Sequence, residues 1–563
     1  MNVIAVMSDT FRADHINAYG LPAPWSRPGH EHQPFVDTPS LDYLVSQSAL
    51  FERFYVGSYP TIPCRNDLFT GRFSFPTVGW EPLRPNDVIL SELLAEHGYT
   101  TSIIFDTPPL HNDDYNFTRG FSGWEWVRGQ HRDRWVTDPL PVTTPSEGYK
   151  IKSVGGLQLY LLNATRRQYE RDWMCAKTLN TAMDWLEKNR QQENFLLWVD
   201  MWDPHDPFDA PPWDLQRYQD PDYQGDQIIY PRYGRPDYMS DAEINDVRAR
   251  YAAKVSLVDR WIGLFLQKIK ALGLDENTLF VFLTDHGHLF AEHDLQGKPT
   301  GPLGMLYEPT TRIPLLIRHP QGIGRGQRIS TIAQHADILP TLFDILGLPI
   351  PPSATGKSLW PNIQGDPTPV HSYAFSGRYS RQVNILSAGD RGRGAASFDG
   401  WVGAEMATSE PLTVTTVDWT LICPPHDGNP PELYHLTTDP NQTENVIRNH
   451  MDVARNLHAA LMRFLEENHA EPDRLTSYQW PAVGIPSGGT TGLDPSTELA
   501  VIDIKGRPYA FLTETEAIRM IPDQEPSSKV IQRLTLSQLK NTEPNAMVCI
   551  GDQYYWAQDL LRV

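Results

Sequence analysis

The side chains able to do chemistry fall in a few short segments. Residues 58–72 read SYPTIPCRNDLFTGR and set Thr61 and Cys64 just ahead of Arg65. A thiol is reactive once ionised, whereas a hydroxyl needs a base or a metal to activate it. Arg65 carries a planar fork of donors that suits two oxygens of a tetrahedral anion. Asp9 closes the apolar run NVIAVMS, Asp285 and His286 close TLFVFLT, and Asp200, Asp203 and His205 follow NFLLWV. Two carboxylates and an imidazole from distant segments suit a divalent transition metal such as zinc or manganese. A lone Asp-His-Gly is equally a turn with a capping Asp. Its company here, Asp9 and a nucleophile after another strand, favours the metal.

These residues need a frame that brings strand ends together. Strands and helices alternate from residue 2 onward, as in DVILSELLAEHGYTTSIIFD, where a helix precedes a strand. TLFVFLT is almost wholly apolar, as expected when both faces of a parallel sheet are covered. The alternation predicts a doubly wound α/β domain, a mostly parallel sheet flanked by helices, over residues 1–370. In such sheets sites form at the carboxyl ends of the strands. Residues 371–470 predict a small α+β domain, and residues 471–563 an extension that opens on WPAVGIPSGGTTGLDPST. In that extension SSKVIQRLTLSQLK has helical spacing. So small a segment is expected to lack a core of its own and to dock on its own chain or a neighbouring subunit.

Composition bounds the partners. The chain has 563 residues, 48 Lys plus Arg against 69 Asp plus Glu, and a formal net charge of -21. That excludes a broad nucleic-acid face but not a local basic pocket for an anion. The four cysteines, Cys64, Cys175, Cys423 and Cys549, suggest no disulfide framework. No apolar run is long enough to span a bilayer, so a cytoplasmic protein without membrane contact is expected. The Asn-x-Thr triplets at Asn116, Asn163 and Asn441 then read as chance.

Five spaced segments together resemble the sulfatase branch of the alkaline phosphatase superfamily. SDTFRADHINAYG is similar to its first metal segment, and DPHDPF to the segment supplying a substrate-binding His. TDHGHLFAEHDLQGKPTGPLGMLYEPTTRIPLLIR is similar to the second metal segment with its Lys. DTPSLDYLVSQSALFERFY and PPELYHLTTDPNQTENV complete the order, which runs to about residue 470. The resemblance implies an alkaline phosphatase-like fold. It also implies a metal held by Asp9, Thr61, Asp285 and His286, with Arg65, His205 and Lys298 acting on the substrate. Most sulfatases convert the Cys of Cys-x-Pro-x-Arg to formylglycine. Matching Pro63, Arg65 and Thr70-Gly71-Arg72 puts Thr61, not Cys64, at that position.

Thr61 at that place points to phosphorus. A formylglycine hydrate expels sulfate by collapsing to the aldehyde, whereas a threonine adduct must be cleared by attack on the central atom. Phosphoryl transfer suits a metal and positioned charge. The expectation is therefore a metal-dependent hydrolase of small anionic phosphate esters, phosphodiesters or phosphonate monoesters foremost. The alternatives are a sulfatase working without formylglycine and a non-catalytic anion-binding relic. Relatives with extended C-termini form homo-oligomers, and this is expected here. Two departures matter. Thr10 replaces the family's second consecutive Asp, which makes calcium and magnesium weaker fits than zinc or manganese. Asp106 stands where a Lys and a His are usual, either to meet a leaving group or to cap a loop. Asp203, His205 and His335 are loose ligands for a second metal. His288 and His293 are secondary candidates, and Arg12 with Asp14 reads as a structural ion pair.

Overall fold

The computed structural model describes residues 1–25, 35–111, 115–379, 410–425, 431–478, 496–504, 507–513, 532–542, 546–550 and 553–556. Residues Met1–Leu475 form one compact unit and Thr476–Val563 a second.

The first unit is organised by a nine-stranded sheet. Its strands are β1 (Asn2–Ser8), β2 (Ala49–Tyr55), β3 (Thr100–Phe105), β4 (Gly123–Trp126), β5 (Phe195–Met201) and β6 (Thr278–Leu283). The two-residue β7 (Leu289–Phe290) and β8 (Gln296–Gly297) make a separate ribbon, and β9 (Arg312–Ile313), β10 (Leu315–Arg318) and β11 (Arg328–Gln334) return to the large sheet. The order is β11-β2-β10-β6-β1-β5-β3-β4, with β9 beside β2. β1 lies parallel to β5 and β6, and β3 parallel to β5 and β4. β10 runs antiparallel between β6 and β2, so β2 and its parallel neighbour β11 point the same way as β1. The mostly parallel, helix-flanked sheet is the architecture the sequence predicts.

Side-chain alternation explains why every residue of β1, β5 and β6 is buried. Ile4, Val6, Leu197, Val199, Phe280 and Phe282 face one core, under the helices Met174–Asn189 and Asp241–Ala271. Val3, Ala5, Leu196, Trp198, Leu279 and Val281 face the other, under the helices Thr61–Thr70, Leu90–Glu96 and Ile338–Leu346. A period of two puts neighbours on opposite faces, and helices cover both. The 31-residue helix Asp241–Ala271 starts on a capping box in which Ser240 and Glu243 satisfy each other's backbone donors.

A four-stranded antiparallel sheet, β12 (Ala374–Ser376), β13 (Leu412–Thr415), β14 (Trp419–Cys423) and β15 (Glu432–His435), belongs to the same unit with the amphipathic helix Met451–Glu467. Just past β12, Gly377 accepts from the Tyr59 N–H and donates to Gly57, which ties this sheet to the loop before Thr61.

The second unit is a five-stranded sheet with a short helix, Leu536–Thr542. Two expectations change here. Gln532–Thr535, within the stretch of helical spacing, is an edge strand, and the helix starts only at Leu536. Strand pairing with Glu498–Ile504 overrides the local pattern. The tail also has a core of its own, in which Leu499, Val501, Ala510, Leu536, Leu539 and Val548 pack together. No helix among the described residues is long and apolar enough to cross a membrane.

Phe282 tests the packing that carries β6. Its ring is fully buried and meets Phe11 edge-on at 5.6 Å. Phe282→Ala should destabilise the first unit by about 3–5 kcal/mol, and Phe282→Leu by less than half of that. Urea unfolding followed by tryptophan fluorescence measures both.

Candidate active site

The carboxyl ends of β1, β5 and β6 deliver Asp9, Asp200 and Asp285 to one place, and β2 leads through a short loop to Thr61. All are fully or almost fully buried. One oxygen from each of Asp9 and Asp285 and a ring nitrogen of His286 lie within 4.8 Å of one another. Among the described residues no second group of this kind occurs. Thr61 Oγ1 stands 3.3 Å from His286 Nε2. His286 Nδ1 donates to the Gly287 carbonyl at 2.9 Å, so the Nε2 lone pair faces the site. Gly287 is required for this geometry, because a Cβ there would lie 1.9 Å from the Pro309 carbonyl oxygen.

The helix begins at Thr61 itself, with Pro60 as its N-cap residue and no side-chain cap. The Thr61 hydroxyl is therefore not a cap, and its partner is His286.

Arg65, expected to act on the substrate, is bonded here to its own chain. Its guanidinium does not fork toward open space. It donates to both oxygens of Asp200 at 2.9 and 2.7 Å, to Asp285 at 2.7 Å, to Asp9 at 3.3 Å and to the Thr61 carbonyl at 3.0 Å. Three buried carboxylates share the fork. Asp200 is also held by the Thr107 hydroxyl at 2.5 Å.

Lys298 closes the other side. Its ammonium stands 2.7 Å from His205 Nε2 and 3.3 Å from His286 Nε2. His205 Nδ1 bonds the Asp206 carbonyl at 2.8 Å and lies 2.7 Å from its carboxylate. Burial and then Lys298 push the His205 pKa well down, so the ring is neutral and Nε2 accepts from Lys298. Asp206 went unremarked in the sequence, though it is the second Asp of DPHDPF. Tyr59 was missed as well; its ring lies 5.1 Å from that of His286, and the Arg378 guanidinium stands 4.9 Å from the same ring. Arg378 arrives from more than three hundred residues away, where no local pattern marks it.

Charge decides whether a cation fits. Asp9, Asp200 and Asp285 face Arg65 and Lys298, which leaves one negative charge. Burial and the neighbouring Asp285 raise Asp9 well above the usual carboxylate range. Burial also works against Asp285, but the Arg65 guanidinium and the Lys298 ammonium hold that carboxyl well below. The neutral His286, lowered to about 3 chiefly by burial, is a ligand rather than a competing cation. A divalent cation among Asp9, Asp285, His286 and Thr61 would turn the site net positive, as an anionic substrate needs. Thr10, at φ 65°, donates its N–H to Asp285 at 3.0 Å and its hydroxyl to Asp9 at 2.7 Å, where the family's second Asp would add an oxygen.

The sulfatase profile matches residues 1–348. The chain belongs to the sulfatase family. It is 26% identical over 483 residues to arylsulfatase K of Xenopus laevis, covering 79% of this chain and 78% of that protein. It is 27% identical over 506 residues to the uncharacterized sulfatase YidJ of Escherichia coli, covering 85% and 89%. It spans only 65% of the length of bovine arylsulfatase K, at 25% identity. In fold it is similar to the phosphonate monoester hydrolase of Agrobacterium radiobacter, with TM-score 0.61, 21% identity, and 83% and 96% of the two chains covered. A protein solved with its substrate D-glucosamine-2-N,6-O-disulfate superposes with TM-score 0.58 at 18% identity, covering 83% and 97%. The family binds a divalent metal, and Asp9, Asp285 and His286 form a candidate site for one.

The remaining candidates do other work. Cys64 is fully buried, and its sulfur lies 3.4–3.5 Å from the ring nitrogens of His335. Burial pushes its thiol well up, so it stays protonated and inert. His335 Nε2 donates to the Thr284 carbonyl at 3.0 Å, and Asp203 pairs with Lys254 at 2.6 Å, so neither is offered to a second metal. Asp106 accepts from the Trp202 N–H at 2.8 Å, and burial raises it to about 8, which makes it a loop cap. His288 packs among Phe208, Tyr233 and Phe290, and His293 stacks on Tyr307. Arg12 pairs with Asp14 and Glu292.

Two predictions follow from these contacts. Arg65→Met leaves three buried carboxylates without their cation and should destabilise the metal-free protein by about 3–5 kcal/mol; added zinc or manganese should recover part of the lost melting temperature. His335 is lowered by burial from the ordinary 6.5 to about 4. Its contribution is present above the unfolded value and is lost as pH falls from 6.5 to 4, because the unfolded ring takes the proton first. At about 1.4 kcal/mol per unit this amounts to roughly 3 kcal/mol. Urea midpoints should fall less steeply across that window in His335→Asn than in the parent.

Proposed function

We propose that this enzyme hydrolyses phosphate esters, phosphodiesters or phosphonate monoesters foremost, with Thr61 as nucleophile. The carrying observation is the Thr61 hydroxyl. It caps no helix and lies 3.3 Å from Nε2 of His286, the residue grouped with Asp9 and Asp285, while Cys64 sits one helical turn on, packed against His335. Asp9, Asp285, His286 and Thr61 would hold one divalent metal, with zinc or manganese the better match to a set containing imidazole. When bound, such a metal lowers the pKa of the hydroxyl and offsets charge on the oxyanion.

The residues then divide the work. Thr61 Oγ forms a bond to phosphorus as the bond to the leaving oxygen breaks, and water later attacks the same phosphorus and restores the hydroxyl. Lys298 binds a non-bridging oxygen. His205, neutral and fixed by Asp206, positions Lys298 by accepting one of its N–H bonds. Arg65 does not touch the substrate and holds the carboxylates in place. The likeness to the Agrobacterium radiobacter phosphonate monoester hydrolase fits this reading through the fold alone. The arylsulfatase relatives favour a second reading, sulfate ester hydrolysis by the same residues.

A paired assay separates the two. Turnover of an aryl phosphodiester or an aryl phosphonate monoester should exceed that of the aryl sulfate, and a reversed order overturns the phosphate reading. Thr61→Ala should lower kcat by about a thousandfold or more, whereas Cys64→Ala keeps most activity. An aldehyde at residue 64 in the intact mass, or full activity after exhaustive chelation, would each defeat the assignment.

A further inference from the structure

A cavity of about 480 Å³ opens at the end of the sheet opposite the active site. That volume is ordinary for a small-molecule site. Arg318, the last residue of β10, pairs in register with Phe280 near the start of β6, whereas Asp285 follows the other end of that strand. Five residues of extended chain separate Phe280 from Asp285, roughly 17 Å. The helix Pro39–Gln47, the last turns of Asp241–Ala271 and the loop after β10 complete the lining.

The charge of this lining is unusual for the chain. Lys270, Arg318, Arg325 and His319 face the cavity, with Asp275 as its one carboxylate. The molecule carries 69 acidic against 48 basic residues, yet none of Lys270, Arg318 and Arg325 forms an ion pair with a described carboxylate. Lys270 and Arg325 are exposed, and water accounts for them. Arg318 is different. Its Nη2 is buried and has no hydrogen-bond partner, and its guanidinium lies 5.6 Å from the Phe280 ring. An unpartnered buried donor costs about 1–3 kcal/mol, more when it is charged. Tyr43, 56% exposed, and Leu266 add an apolar flank.

We propose that this cavity is a second anion site, in which Arg318 and Arg325 hold a tetrahedral oxyanion, either the free inorganic ion or its ester on a small organic group. A guanidinium fork matches the edge of phosphate or sulfate. Tyr43 and Leu266 would then flank the organic part. The proposal does not depend on which ester the active site cleaves.

The test uses the full chain carrying Thr61→Ala and Lys298→Ala, which removes the nucleophile and the ammonium proposed to bind the anion in the active site. Inorganic phosphate, inorganic sulfate and phenyl phosphate are titrated by calorimetry up to millimolar concentration. At least one should bind, and adding Arg318→Gln with Arg325→Gln should weaken it about tenfold or more. Phenyl phosphate binding tighter than phosphate identifies the ester as the ligand, and equal affinity identifies the free ion. Arg325→Gln alone, on an exposed loop, guards against misfolding of the double variant and should weaken binding in the same direction. No binding by any of the three, or an affinity indifferent to both arginines, overturns the proposal.

Discussion

A single guanidinium with no exposure to solvent holds the active end of this molecule together. Arg65 joins Asp9 after β1, Asp200 on β5 and Asp285 after β6 to the first turn of the helix that carries Thr61. Carboxylates crowded at this distance inside a protein repel strongly, and burial alone would drive them to take up protons. Arg65 offsets that repulsion and fixes the three strand ends at one spacing. Because its partners come from three strands and its stem from a helix, the relative position of four elements is set at one point. A lysine could not do this, since it lacks the planar fork that meets both oxygens of Asp200 while reaching two further carboxylates.

A second chain of contacts sets the opposite wall. Asp206 fixes the Nδ1–H tautomer of His205, His205 accepts from Lys298, and Lys298 reaches His286. Each link depends on the one before it. With the opposite tautomer, His205 would present a hydrogen to the ammonium and push it away. The cation proposed to meet the anion is thus aimed by residues that need not touch it, while Tyr59 packs beside the ring of His286.

Much of this was legible in the sequence because strand ends announce themselves. β1 and β6 are unbroken apolar runs that stop at an Asp, and in a parallel sheet such stops converge. The same logic brought forward Asp200, although not as the main partner of Arg65. What the sequence could not show was who claims whom. Arg65 suits a tetrahedral anion as well as carboxylates, and only the three-dimensional count of acids decides between them. Cys64 and Thr61 share one helical turn, and their difference lies in what each faces. Arg378 reaches the site through the pairing of Gly377 with Ser58, a contact with no local signature. In the tail, the helical spacing around Gln532–Thr535 gave way to strand pairing, because a neighbouring strand supplied hydrogen bonds that spacing cannot foresee.

The charge of the whole chain sharpens the demand on these local contacts. With a formal net charge of -21, the surface field opposes an approaching anion rather than drawing it in. At physiological salt that field fades within about 8 Å, so it neither steers nor excludes strongly at range. Recognition of an oxyanion must then come from cations held at contact distance in a lowered dielectric, where each is worth far more than at the surface. Under the proposed function Lys298 would meet this requirement, buried as it is beside two neutral imidazoles. Its ammonium has given up water without gaining a carboxylate at ion-pair distance among the described residues, and this is what fits it for the anion in the proposed function.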